Sequence, residues 1–340
     1  MNKSIEFNAK AKLLLNWTTS RVIPALTVDN KGGSELRNLD LSRISNVSDS
    51  LVLPGSPSPF SPPRRKADLK RTPDRMGGNP ISIFDNDGAL NRPAVFLVSA
   101  VAGSLLQSSC LVFTEWLSVG GAGAQEIAEA SVKWCKVFLE GGLASGDMKK
   151  EIAPAFMRLA IQLCQAADNY LLLKRILVEC DEACFEDNGA SVEKAISSLL
   201  SGHCLGAKVS KIMNGIIDTV LDAAYESLDS FVTELKFEVP ESIEDLWHFD
   251  TGCVASALAA ISGNKHSKLL LCRRLVCCLA NHSKNLNKRA VFEAKCLAYM
   301  LSFSGSSIEM EGIIRELDVD RFDEQGEMRI VVGQILQCVA

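Results

Sequence analysis

Past residue 93 the apolar positions recur at intervals of three and four, the period of helices with one buried side. The clearest run is Ala207 to Phe237. There Val209, Met213, Ile216, Val220, Ala224, Leu228, Phe231 and Leu235 keep the spacing, and Pro240 closes it. Gly120-Gly121-Ala122-Gly123 and Gly141-Gly142 bracket a helix at 124–140. Asp147 is placed to N-cap the next one, with Ile152, Phe156, Leu159, Leu163 and Ala167 on its apolar side. Pro154 is expected only in that helix's first turn, which puts the start near 147–151. Asp168 to Cys180 predicts a short helix, broken at Asp187-Asn188-Gly189. Three more follow at 251–262, 266–281 and 285–303, and two last ones at 306–317 and 323–338. Strand-like alternation never exceeds four residues in this part of the chain.

Upstream the pattern changes. Residues 5–26 predict one helix, with Ile5, Ala9, Leu13, Trp17 and Ile23 on its apolar side. Residues 27–92 have no period. They carry Gly32-Gly33, many serines, six prolines between 54 and 73, and Gly77-Gly78. That composition predicts a disordered regulatory linker, long enough to let the N-terminal helix dock back on the rest. Within it, Ile81-Ser82-Ile83-Phe84 is an apolar island, a short strand or a docking motif. Asp85-Asn86-Asp87-Gly88 opens like a calcium loop. Its glycine stands fourth instead of sixth, and position twelve is Phe96 instead of glutamate, so calcium is rejected. The expected organisation is a short helix at 1–26, a linker at 27–92 and a helical domain at 93–340. The expected fold is all-α, an α-solenoid or irregular HEAT-like helical-repeat domain behind a long disordered linker. No fixed repeat period and no tetratricopeptide or ankyrin signature is present.

Composition narrows the class. Apolar residues make up 47% and aromatics only 6%, so the core is built from Leu, Ile, Val, Ala and Cys. A net charge of -5 excludes a polycation, and any nucleic-acid contact must come from a local patch. The apolar stretch Leu13-Leu14-Leu15-Asn16-Trp17 is too short for a secretory leader and is surrounded by Lys3, Glu6, Lys10, Lys12 and Arg21. The twelve cysteines are therefore expected to be buried thiols in a reducing compartment, and the sequons at Asn16, Asn46 and Asn281 to be unused. Pro93 to Thr114 is uncharged and long enough to span a bilayer. Gln107, the serines at 104, 108 and 109, and the closing Glu115-Trp116 favour a fully buried helix of a soluble domain over a membrane span.

The most specific local signals lie in Pro54 to Arg75. Ser61-Pro62-Pro63-Arg64 and Thr72-Pro73-Asp74-Arg75 fit proline-directed kinase sites with a basic residue at plus three, making Ser61 and Thr72 candidate phosphorylation sites. Arg64, Arg65, Lys66, Lys70 and Arg71 form a candidate nuclear-import patch. Residues 64–75 hold six basic and two acidic side chains. Each phosphate adds about -1.5 to -2 charges, so two would cancel most or all of that excess.

Three chemical constellations remain. Cys180, Cys184, His203 and Cys204 supply four zinc-type ligands, but adjacent His-Cys at the closing end is unusual spacing, and buried thiols are the simpler reading. Cys277-Cys278 lies in LLLCRRLVCCL, where burial explains it. The four histidines lie in no catalytic motif, and there is no GxSxG, HExxH or phosphate loop. Thr251 to Phe292 has no Asp or Glu but carries Lys265, Lys268, Arg273, Arg274, Lys284, Lys288 and Arg289, a candidate binding ridge for phosphates or an acidic partner. By contrast, residues 301–340 hold eight acids and three bases.

These features predict a non-enzymatic nuclear adaptor or scaffold subunit, controlled by proline-directed phosphorylation of its linker. Its natural settings are genome maintenance, chromosome biology or cell-cycle control. The expected partners are other protein subunits and a proline-directed kinase, with no cofactor, no bound metal and no membrane. One alternative is a helical nucleic-acid-binding protein using the 265–289 segment. Another is a helical enzyme whose site is assembled from residues far apart in sequence.

Overall fold

The chain folds around a long apolar helix, α3, whose charged residues, Arg92 and Glu115, lie near its ends. In the computed structural model the helices are α1 (Asn2–Trp17) and α2 (Ile23–Leu26), joined by a π-helical turn at Thr18–Val22; α3 (Arg92–Ser118); α4 (Ala124–Glu140); α5 (Gly146–Ala167); α6 (Leu171–Glu179); α7 (Val192–Ser201); α8 (Ala207–Asp229); α9 (Val254–Gly263); α10 (Lys265–Asn281); α11 (Lys288–Ser302); and α12 (Glu327–Gln337). A 3-10 turn at Glu182–Phe185 follows α6. The residues described are 2–26, 92–140, 146–180, 182–185, 192–201, 207–229, 253–281, 287–302, 312 and 327–337, and none of them is in a strand. The architecture is all-α, as the three- and four-residue spacing predicts.

Val98, Ala102, Leu106, Cys110, Phe113 and Leu117 form the inner side of α3, and all are buried. That side lies on α5. The closest approach is at Gly103, where a Cβ would meet Met148 Sδ at 2.9 Å and Ile152 Cδ1 at 3.2 Å. The opposite side of α3 is open, with Leu97 46%, Val101 39%, Leu111 37% and Val112 42% exposed. The expected fully buried helix is thus buried on one side only. Leu97–Ser118 is long and apolar enough to cross a membrane by length and composition, and its inner residues are packed in the helical core.

α5 begins at Gly146, with Asp147 inside its first turn and not at the cap. Pro154 therefore lies in the helix interior, not in the first turn as the spacing suggested. It removes one backbone donor there, but its ring is buried between elements that hold the helix in place. Phe156 packs on Phe138 of α4 with ring centroids 5.9 Å apart. The helix stops at Asp168, whose φ of 54° is left-handed. Asp168 N donates to Cys164 O at 3.2 Å and Asn169 N to Leu163 O at 3.4 Å, closing the last turn. This break makes α6 shorter than the predicted 168–180 segment.

The remaining helices pack mainly on elements near them in the chain: α6 on α4 and α8, α9 on α7 and α10, α10 on α11, and α11 on α12. Met213, Ile216, Val220 and Ala224 of α8 are buried as their spacing predicts. Phe231 and Leu235 lie outside the described residues. Buried side chains from Leu14 to Ile335 form one continuous core.

The N-terminal segment docks on α3 and α4. Thr18 Oγ1 and Ser109 Oγ share a buried hydrogen bond of 2.9 Å, and Trp134 Nε1 donates to Thr19 Oγ1 at 3.0 Å. Its buried side is Leu14, Thr18 and Val22, while Leu13 is 70% exposed and Ala9 is also exposed. Over α1 the predicted stripe is rotated because Leu13, Leu14 and Leu15 are consecutive, while Ile23 is buried as expected. Apolar spacing alone fits more than one register, and the Thr18–Ser109 bond belongs to only one of them.

Candidate functional site

The basic segment is anchored by α8. Asp218, Asp222 and Tyr225 follow one side of that helix at intervals of four and three. Arg274 Nε donates to Asp218 Oδ1 at 2.5 Å. Arg289 Nη2 donates to Asp222 Oδ1 at 2.8 Å and its Nε to Glu293 Oε1 at 2.9 Å. The Arg289 guanidinium also lies 5.3 Å from the centroid of the Tyr225 ring. Partial burial opposes the Arg289 charge, but the carboxylates of Glu293 and Asp222 outweigh it and raise its pKa. The same balance, burial against Asp218, raises that of Arg274.

Two of the seven candidate ridge cations are therefore fasteners between α8, α10 and α11. Lys265 and Arg273 are exposed, Lys268 and Lys288 are half-buried, and Lys284 lies outside the described residues. The absence of acids from 251–292 was a true reading of that segment. The counter-charges come from Asp218 and Asp222 of α8, more than fifty positions away, and from Glu293, one position beyond the segment.

Cys180 and Cys184, two of the four candidate zinc ligands, are brought together and buried. Their neighbour is Cys253, which sequence spacing did not single out. Its Sγ donates to Cys180 O at 3.4 Å. Hydrogen bonding from Cys184 pulls the Cys180 thiol down, but contact with Cys253 and burial push it above its ordinary value overall. Such thiols are poor nucleophiles. His203 and Cys204 lie outside the described residues, and no cluster of three or more ligating side chains is placed to hold a metal among the described ones. Burial likewise raises Cys135, Cys164 and Cys272 to about 12. Cys277 is exposed, so burial does not explain it, while Cys278 is half-buried and burial pushes its thiol up to about 11. Cys277 sits on the side of α10 away from Cys272, Leu275 and Leu279, whereas Cys278 is close to the Arg274, Arg289 and Glu293 cluster.

A concave site not anticipated from sequence lies where α1 meets the α3–α4 connection. It is a cavity of about 290 Å³, lined by Ala11, Lys12, Leu15, Phe113, Gly123 and Ile127 among others. Phe113 and Ile127 are buried beneath it, and Lys12 and Glu126 are exposed at its rim. The floor is rigid: Phe113 packs on Trp134 at a ring-centroid distance of 6.0 Å, and Trp134 is fixed by its bond to Thr19. The far wall is fixed by Trp116 Nε1, which donates to Ala122 O at 2.8 Å. The lining joins residues about a hundred positions apart, so no local motif marks it.

Ser61, Thr72, Arg64, Arg65, Lys66, Lys70 and Arg71 lie outside the described residues, as do Ile81–Phe84 and Asp85–Gly88. Comparison with protein-family models, curated proteins and solved structures finds no match to this chain.

Proposed function

We propose that this chain is a non-enzymatic adaptor or scaffold subunit that binds another protein through the cavity beside α1. The observation that carries this reading is the cavity's construction. It has a rigid apolar floor of Phe113, Leu15 and Ile127, and opposite charges at Lys12 and Glu126 on its rim. Such a pocket suits one apolar anchor side chain of a partner, with the rim charges setting orientation. The packing of helices on their chain neighbours supports a HEAT-like irregular stack, an architecture that offers broad surface for assembly. The nuclear setting and the phosphorylation switch rest on the sequence around Ser61 and Thr72. Arg274 and Arg289 are held by α8 carboxylates, which reduces the support for the nucleic-acid alternative.

The test is affinity purification from dividing cells with wild type, Ala11→Trp, which fills the cavity, and Lys12→Glu, which reverses its rim. Loss of the same partner from both variants, with melting unchanged, is expected. Identical recovery from all three removes the cavity as the binding site. Ser61→Ala with Thr72→Ala is expected to alter localisation or partner recovery without altering melting. Wild-type behaviour in both assays refutes the switch.

A further inference from the structure

On α3 the residues at 97, 101, 104, 108, 111, 115 and 118 are all exposed. Their spacing alternates four and three, the seam of a two-helix left-handed pair. They are Leu97, Val101, Ser104, Ser108, Leu111, Glu115 and Ser118, with a single charge. The outward positions of α4 are instead Gln125, Glu126, Glu129, Lys133 and Lys136, an ordinary solvated composition. Ser104 Oγ donates to Ala100 O at 3.1 Å and Ser108 Oγ to Ser104 O at 2.8 Å. The hydroxyl protons at the middle of the seam are thus satisfied without water, which lowers the cost of covering them.

We propose that this seam pairs with α3 of a second copy of the chain, antiparallel, about a two-fold axis between Ser104 and Ser108. An isologous contact needs a self-complementary surface. Reversing the seam about that axis sets Val101 against Leu111 of the second copy, Ser104 against Ser108, and, at each end, Leu97 against the methylene stem of Glu115. Two apolar pairs then flank a centre of four small residues that lets the backbones approach closely. Glu115 selects the orientation. A parallel pair in register brings the two Glu115 carboxylates together, whereas the antiparallel pair separates them and opposes the helix dipoles.

The size of the face sets the strength. Twenty-two residues from Leu97 to Ser118 span about 33 Å, and a helix is roughly 10 Å wide. The footprint is therefore on the order of 300 Å² per copy, well below the roughly 800 Å² per partner of a standard stable interface. The dimer is weak and concentration-dependent. This inference uses neither the cavity beside α1 nor the linker, and stands or falls apart from them.

The experiment is sedimentation equilibrium of the full chain from about 5 to 500 µM, a range chosen for a weak contact. Wild type is expected to shift from monomer toward dimer across that range. Val101→Glu and Leu111→Lys, each melting as wild type does, are expected to stay monomeric alone. An equimolar mixture of the two is expected to re-associate, because the antiparallel axis sets the introduced carboxylate against the introduced ammonium. A wild type monomeric throughout overturns the proposal, including one that binds phosphatidylcholine vesicles instead. So does a single variant that dimerises like wild type, or a mixture that stays monomeric.

Discussion

Gly215, near the middle of α8, offers a test in which two physical effects of opposite sign meet at one atom. A Cβ built there would lie 2.2 Å from Cζ, 2.3 Å from Oη and 2.7 Å from Cε2 of Tyr170. Tyr170 Oη donates to Asp168 Oδ1 at 2.7 Å, so the ring is tied to the break between α5 and α6. Alanine in a helix interior is favoured over glycine by about 1 kcal/mol. Overpacking that displaces a fixed side chain costs about 1–3 kcal/mol. Gly215→Ala is therefore expected to destabilise the protein by roughly 1 kcal/mol net. In a Tyr170→Ala background the obstruction is gone, and the same substitution is expected to stabilise by up to about 1 kcal/mol. The sign reverses, and the coupling between the two sites is about 2 kcal/mol. Urea unfolding followed by circular dichroism at 222 nm on the four proteins of the cycle measures it. Equal stabilisation by Gly215→Ala in both backgrounds refutes the reasoning, because the ring would then not occupy the space the glycine leaves.

Arg289→Ala removes the Arg289 ion pair from Glu293, whose side chain is 2% exposed. After allowing for the partial exposure of Arg289, the loss is expected to be roughly 2 kcal/mol. Arg289→Lys should recover less than half, since lysine cannot make both bonds, and stability within 0.5 kcal/mol of wild type for the alanine variant, on the order of ordinary surface substitutions, would count against the fastener. The Lys211 ammonium and the Tyr170 hydroxyl hold the Asp168 carboxyl below the usual carboxylate range. Its contribution is therefore present above the ordinary carboxylate pKa and lost as pH falls through the lowered value. Asp168→Asn should flatten the acid limb of the stability–pH curve, and an unchanged limb would show that the contact does not form. Brief iodoacetamide treatment of the native protein, read by peptide mass spectrometry, should modify Cys277 before Cys110, Cys135, Cys164, Cys180, Cys253, Cys272 or Cys296. Early labelling of any of the seven would contradict its burial.

The helix-period pattern was enough to find α4, α9, α10 and α11 within a few residues and the start of α8, whose predicted end at 237 lies outside the described residues, because each has one apolar side. It misplaced features where two readings fit the same letters. Leu13-Leu14-Leu15 satisfies more than one register of α1. Pro154 reads as a first-turn residue unless the helix is long and well packed enough to absorb it. The uncharged stretch of α3 reads as buried throughout, because composition does not say that one side is left open. Candidate-site residues fared according to range. Cys180 and Cys184 lie four positions apart and are together, but Cys253 joins them only because the start of α9 is hydrogen-bonded to the end of α6. Asp218 and Asp222, which hold Arg274 and Arg289, likewise belong to another helix, and Glu293 falls one position past the acid-free segment, so a segment-by-segment charge count misses them.

The hydrogen bonds from Thr18 and Thr19 to α3 and α4 have a topological consequence. Leu26 is buried on the same helical body in which Arg92 begins α3. The chain, which includes Ser61 and Thr72 between Leu26 and Arg92, therefore leaves and rejoins one helical body. A protein that grips this stretch is confined near the body that carries the α1 cavity, at an effective concentration set by chain length. Doubling the length of such a loop costs only about 0.6 kcal/mol in closure entropy. The excursion can therefore lengthen or shorten with little effect on the docking of the first helix. A single cut between Leu26 and Arg92 should leave the first helix bound as a separate peptide, held by the burial of Leu14, Thr18, Val22, Ile23, Ala25 and Leu26 and by the Trp134–Thr19 bond.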